Sequence, residues 1–288
     1  MVALLEKGTV PWHKPWNAKT GWPRNFVTKK PYRGVNIFLL MASSYESPYW
    51  LTYNQAYERG ATVRPGEKAC SILFWNQKTI VDEESGEERS VPLLRLYHVF
   101  NVAQCDGIKA LPGTGEMTEP VTITKPAEIV ARMPKCPKIK HGMTESFYSP
   151  KDDCVNMPMQ KRFGRTEEYY STLFHELVHS TGHESRLNRS TLTAKAGFGS
   201  NPYSKEELIA EMGAAFLCGH AEIVERTLDN SAAYIKGWLD QLRGDKAMVV
   251  QAAAQAQRAT DFILGTLPQK FPMSGSEASQ PEPMEAAA

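Results

Sequence analysis

The sequence predicts an α+β protein of two domains, and three observations carry that prediction. A chain of 288 residues is long enough to bury two cores. Its first hundred or so residues pair short apolar helices with two strand patterns, while the second half is governed by helical periodicity. Between them, LPGTGEMTEP has the glycines and prolines of a linker. The expected boundaries are 1–109 for a small α+β domain, 110–121 for the linker, 122–271 for the second domain and 272–288 for a tail. PMSGSEASQPEPMEAAA gives that tail the composition of a disordered segment.

The chain opens with Met1–Lys7, which reads as the last turns of a helix ending at Gly8, its beginning lying before this sequence. From there to Gly60 the composition changes. Lys7, Lys14, Lys19, Arg24, Lys29, Lys30, Arg33 and Arg59 face only Glu6, Glu46 and Glu58, a local excess of five positive charges. Aromatic residues interleave with them. Cations that track phosphates beside rings that stack bases suit single-stranded nucleic acid. Trp12, Trp16 and Trp22 are the stacking candidates, with Lys14, Lys19, Arg24, Lys29, Lys30 and Arg33 as the phosphate contacts. The plainer reading makes the tryptophans core residues and the lysines solvated surface. Asn36–Ser44 then reads as a short apolar helix and Thr52–Arg59 as another, closed by Gly60. Ala69–Gln77 and Pro92–Val102 read as strands joined by the acidic VDEESGEERS turn.

In the second half, Ser146–Pro158 reads as a hairpin, or as an edge strand followed by a turn. An edge of that kind can align an extended peptide through main-chain hydrogen bonds, or be an ordinary strand of the sheet. Thr166–His183 is the strongest helix signal of the chain. Thr166 is its expected N-cap, Glu167 and Glu168 suit its first turn, and Gly182 stands where it ends. Tyr170, Leu173, Phe174, Leu177 and Val178 form its apolar stripe.

Within that helix His175-Glu176-Leu177-Val178-His179 is an H-E-x-x-H pattern. Residues four apart on a helix lie one above the other, so both imidazoles can reach one ion. Three protein ligands on zinc lower the pKa of a bound water to roughly 7, and Glu176 is placed to take its proton. A surface helix with an i,i+4 histidine pair is the bland alternative. A third ligand in the H-E-x-x-H-x-x-G-x-x-H arrangement would be a histidine where this chain has Ser185, so that arrangement fails. The later helix Lys205–Gly219, buried through Leu208, Met212, Ala215 and Phe216, offers Glu206, Glu207 and Glu211 instead. Ser204 and Glu207 also fit a capping box, in which Glu207 would only return to the backbone. Tyr203 could face a developing oxyanion or be structural, and His13, His98, His141 and His220 have no ligand-like spacing. Asn230–Gly265 reads as two helices broken near Gly244-Asp245. Tyr234, Trp238, Leu239 and Leu242 face the core in the first, and Val249, Ala253, Ala256 and Ile263 in the second.

PWHKPW, GWPRNFVTKKPYRGVNIFLL, YWLTYNQA and FNVAQC resemble the N-terminal domain of ArdC-type antirestriction proteins of conjugative plasmids. HELVHSTGHESRLNR and EELIAEMGAAF resemble the zinc-peptidase-like domain joined to it. The likeness covers nearly the whole chain except the tail. It implies a single-stranded-DNA-binding domain fused to a gluzincin-like metallopeptidase domain, shielding incoming DNA from host restriction during conjugation. Glu207-Leu-Ile-Ala-Glu211 also resembles the E-x-x-x-D/E arrangement of gluzincins. That likeness makes Glu207 the third ligand and Glu211 the group that orients a ligating histidine. The implied cofactor is zinc, Zn2+, or another divalent transition metal. The implied partners are single-stranded DNA and a protein substrate such as a restriction component. A second class of function stays open, a non-catalytic protein that coats single strands and keeps a structural or vestigial metal site. The intact Glu176 favours chemistry, because a structural site needs no general base.

Composition limits the remaining classes. Thirty-three Lys and Arg against 32 Asp and Glu leave a net charge of +1, so the global balance advertises neither nucleic acid nor membrane. No apolar run approaches about 18 residues, and MVALLEKG is too short for a signal-peptide core. The expectation is a soluble, cytoplasmic protein with no membrane partner. Cys70, Cys105, Cys136, Cys154 and Cys218 are odd in number and without C-x-x-C, as expected of buried thiols in a reducing compartment.

Overall fold

The computed structural model describes residues 6, 21–43, 45–81, 88–108, 126–193, 201–223, 245 and 247–267, with the backbone alone at 75–81, 88–94, 192–193 and 201–204. The expected linker at 110–121, the tail, the helix of 1–7 apart from Glu6, and the helical face of Tyr234, Trp238, Leu239 and Leu242 lie outside the described residues, as does the side chain of Tyr203.

The first half is built on a four-stranded sheet of order β1-β2-β5-β4. β1 (Arg24–Asn25) runs parallel to β2 (Tyr49–Leu51), which pairs antiparallel with the end of β5 (Glu88–Asn101). β4 (Cys70–Val81) and β5 form a long antiparallel ribbon, in register from Cys70 opposite Val99 to Val81 opposite Glu88. The expected strands stopped short, at Gln77 and Pro92. Among the described residues the ribbon beyond β2 has only two strands, so neither face must be apolar and pairing continues through Lys78, Thr79, Arg89 and Ser90. A second pair, β3 (Thr62–Val63) with β6 (Cys105–Asp106), closes this half.

Two short helices pack on it. α2 (Tyr53–Tyr57) begins at Thr52, whose side chain accepts from the Gln55 N–H while Gln55 returns to the Thr52 N–H. α1 (Val35–Met41) begins at Gly34, with φ 57° and ψ −137°, a backbone that a side chain would strain. The apolar sequence VNIFLLM leaves α1 no solvent face. Leu40 turns to the sheet and meets Trp50, Ile72 and Val99. Val35, Ile37 and Phe38 point the other way, into a core made by the second half of the chain.

That larger core is helical. α3 (Pro126–Arg132) precedes a three-stranded sheet of order β7-β9-β8. β7 (Lys138–His141) runs parallel to β9 (Cys154–Met157), and β8 (Phe147–Ser149) is the antiparallel edge. The hairpin read over Ser146–Pro158 is this β8–β9 pair. α4 (Thr166–Thr181), the short α5 (Ser190–Thr193), α6 (Asn201–His220) and α7 (Ala247–Ile263) follow. Ala253, Ala256 and Ile263 of α7 are buried against them.

Three expectations are corrected. Thr166 is the first helical residue of α4, and the cap is Arg165, without a side-chain hydrogen bond. α6 starts at Asn201, which puts Ser204 inside the helix and removes the capping box. Of the cysteines only Cys154 and Cys218 are buried, Cys70 and Cys105 are half-buried and Cys136 is exposed, all as free thiols. Among the described residues no helix is long and apolar enough to cross a membrane.

Candidate metal centre

α4 is buried on almost every side from Ser171 to Thr181, Glu176 and His179 included. Buried hydroxyls are costly without partners, and those of Thr172, Ser180 and Thr181 find them within the helix. Ser180 Oγ donates to the Leu177 carbonyl at 2.7 Å, and Thr181 Oγ1 to that of Val178 at 2.6 Å. α6 crosses α4 closely because Gly213 faces Val178. A Cβ on Gly213 would lie 2.7 Å from Val178 Cγ2, inside contact distance. The glutamates of α6 are thereby brought onto the histidines of α4.

His175 Nε2 and His179 Nε2 face each other at 3.1 Å. The Glu207 carboxylate spans the pair, with Oε2 at 3.6 Å from His175 Nε2 and Oε1 at 3.5 Å from His179 Nε2. One ligand atom from each of the three residues lies within 4.8 Å of the others. The opposite ring nitrogens meet carboxylates as well. Glu211 Oε1 stands 3.8 Å from His175 Nδ1, and Glu206 Oε1 stands 3.4 Å from His179 Nδ1. A hydrogen on each Nδ1, directed at its carboxylate, leaves a lone pair on each Nε2. Two lone pairs and a carboxylate converging on one point repel each other unless a cation sits between them.

The electrostatics express the same demand. Burial pushes His175 down, but the hydrogen bond it donates to Glu207 and the charges of Glu211 and Glu176 reverse this and raise it to about 10. A proton on His175 can thus stand in for a metal ion. For Glu207 burial favours the neutral acid, yet the hydrogen bond from His175 and the two imidazoles hold it below the usual carboxylate range.

Glu206 is held from behind. Arg189 Nη2 donates to its Oε1 at 2.6 Å, Arg189 Nε to its Oε2 at 3.2 Å, and Thr191 Oγ1 to Oε2 at 2.5 Å. Burial opposes ionisation of Glu206, but the hydrogen bond with His179 and the Arg189 charge bring it down to about 2. Arg189 is itself buried and also donates to the carbonyl of Val178 at 2.8 Å. The chain reaches this position by folding back after α4, where the Leu187 N–H bonds the Thr181 carbonyl and the Arg189 N–H that of Gly182, both at 2.9 Å. Arg186 pins the same segment to the sheet through Asp153, with the hydroxyl of Tyr148 beside it.

The structure therefore brings His175, His179 and Glu207 together, with Glu176 buried beside them and Glu211 behind His175. Glu206 had been one of three candidates without a role. Arg189, Thr191 and Gly213 were not singled out at all. The only trace of Arg189 in the sequence is RLNR after the helix, and nothing local tells a buried arginine from a solvated one.

The nucleic-acid candidates fare differently. Trp12, Lys14, Trp16 and Lys19 lie outside the described residues. Trp22 is half-buried, its ring 5.0 Å from His220 and 6.2 Å from Phe216, on the side of the larger core. Arg33 is ion-paired with Asp261 of α7, so its charge is matched within the protein. Lys29 and Lys30 are exposed and Arg24 partly so. His141, read as ordinary, shares a 2.8 Å hydrogen bond with the Tyr169 hydroxyl.

Two family models match the chain. "N-terminal domain of anti-restriction factor ArdC" matches residues 1–100, and "Zincin-like metallopeptidase" matches 128–255. Protein y4eC of Sinorhizobium fredii is 33% identical over 278 residues, 91% of this chain and 88% of that protein. A DNA primase TraC of Escherichia coli is 33% identical over 287 residues, 92% of this chain but only 26% of the primase. A second TraC is 32% identical, with 19% of its length covered, so the chain spans about a quarter or less of these larger relatives. Among solved structures, the metal-free antirestriction ArdC protein from plasmid R388 matches with a TM-score of 0.72 at 33% identity, over 92% of this chain and 94% of that one. Its Mn(II)-bound structure matches with the same TM-score, 0.72, at 32% identity.

Proposed function

Because the chain belongs to the family of ArdC antirestriction proteins, we propose that it protects incoming plasmid DNA from host restriction, holding single strands with its first half and cleaving a protein at a zinc site in its second. The protein cleaved would be one that threatens the DNA, such as a restriction component, and the site of action the cytoplasm.

The observation that carries the enzymatic part is the convergence of two imidazole lone pairs and the Glu207 carboxylate beside the buried Glu176. Nitrogen and carboxylate donors suit zinc and equally manganese. That the R388 protein has a Mn(II)-bound form supports a divalent ion as the cofactor. A metal held by His175, His179 and Glu207 would polarise a peptide carbonyl and acidify water. The chain's own residues supply the rest. Glu176 accepts the proton of the attacking water and can return it to the leaving amine. Glu211 and Glu206 fix which nitrogen of each imidazole carries hydrogen, and Arg189 keeps Glu206 ionised. β8 is an outer strand of its sheet among the described residues, which supports its use in aligning an extended substrate.

Metal analysis of variants tests the ligand set. Glu207→Ala should lose the ion, whereas Glu211→Ala should keep it with an affinity roughly 10- to 100-fold weaker. Full retention in Glu207→Ala with loss in Glu211→Ala would overturn the assignment.

A further inference from the structure

Four features of the first half meet around β1 and α2. The turn after β1 is tight, because Asn25 Oδ1 accepts from the N–H groups of Val27 and Thr28, each at 2.9 Å. It leaves Lys29 at φ 60°, left-handed and exposed. The Lys29 Nζ lies 4.3 Å from the ring centre of Phe26 and 5.0 Å from that of Tyr49. Burial, then the charges of Arg59 and Arg24, push its pKa down, so the three cations are close enough to repel one another.

α2 stands beside this turn, tied to it by the Asn25 amide donating to Gln55 Oε1 at 3.2 Å. Its outer face carries Tyr53 and Tyr57, with 52% and 76% of their surface exposed. Tyrosines normally bury more than this. Spaced four residues apart, they are offset by about 6 Å along the helix. That offset exceeds the ~3.4 Å step of a stacked duplex strand, so it suits bases drawn out of the stack. Arg59, just past the helix, donates from Nη1 to the Gln55 carbonyl at 3.2 Å and pairs with Glu58 at 3.7 Å, an exposed ion pair that phosphate can displace.

We propose that the Lys29 turn and the outer face of α2 form one contact surface for single-stranded nucleic acid, with Arg24, Lys29 and Arg59 against phosphates and Tyr53 and Tyr57 stacked on bases. This assignment rests on the reading of the first half as holding single strands, and it places stacking on residues more exposed than the half-buried Trp22.

The test uses the full chain and a fluorescein-labelled oligothymidylate, followed by anisotropy over a range of salt, with melting temperatures of all variants compared. Tyr53→Ala/Tyr57→Ala should weaken binding roughly 5- to 100-fold for each base no longer stacked. Lys29→Gln/Arg59→Gln should weaken it mainly at low salt and make the log–log salt slope shallower by about 0.7 for each cation removed. Wild-type binding with affinity and slope unchanged in both variants would overturn the surface while leaving the single-strand reading standing. Absence of salt-sensitive binding by the wild type would overturn the reading and the surface together.

Discussion

His175 and His220 are both largely screened from water, yet their surroundings drive them in opposite directions. His175 gains carboxylates and is raised. His220, at the end of α6, is brought down to about 4 from 6.5, by burial first and then by the nearby Arg33. Below pH 6.5 the unfolded chain takes up a proton at His220 that the folded chain refuses. Folding stability should therefore fall as pH drops from 6.5 to about 4, by about 3 kcal/mol at full extent. His220→Gln cannot titrate, so its urea-unfolding free energy should lose less than the wild type over that range. Parallel curves for the two proteins would show that His220 binds its proton equally in the folded and unfolded chains, against this prediction. The contrast also bounds what spacing can tell. His220 has no ligand-like neighbours in sequence, and the ring packed against it, Trp22, stands almost 200 residues away.

At the scale of elements, the site depends on how near α6 comes to α4. Gly213→Ala puts a methyl group against Val178, where the helices must part or repack. Overpacking of that kind typically costs about 1–3 kcal/mol. Because Glu207 and Glu211 ride on α6, the same change should weaken metal binding in a chelator competition. An unchanged melting temperature and unchanged metal affinity would mean the contact is not what sets the helix spacing. The H-E-x-x-H helix was legible because its geometry is local, i to i+4 on one helix. The acids of α6 were legible as candidates because Glu206, Glu207 and Glu211 share a helix. Which nitrogen each one faces was not, since that depends on the crossing of two helices. Gly213 and Arg189 were illegible for the same reason, their partners being distant in sequence. α1 was readable as a helix from its apolar run, but a segment apolar all round does not say which two layers it lies between.

At the scale of the whole molecule, α1 makes the two halves share a core. Phe38 stacks on Phe216 of α6 with ring centres 4.9 Å apart, Arg33 pairs with Asp261, and the Gly34 N–H reaches Gln257 Oε1 at 3.1 Å. Asn36 ties the same helix to the ribbon, donating to the Leu73 carbonyl at 2.7 Å and accepting from its N–H at 2.8 Å. A fragment ending near residue 109 would uncover Val35, Ile37 and Phe38, so the function is best tested in the full chain. The central claim is that the metal site protects DNA through catalysis, and Glu176→Gln addresses it most directly. The amide keeps the shape of the side chain and touches none of the three ligands. Metal content, folding and oligonucleotide affinity should all be kept, while loss of the general base should slow peptide cleavage by a factor of about 100 to 10,000. The measurement is protection of incoming DNA during conjugation into a restricting recipient. Loss of protection in Glu176→Gln, with metal and DNA binding intact, is the predicted result; protection at the wild-type level would contradict the account and leave coating of the strand as the mechanism.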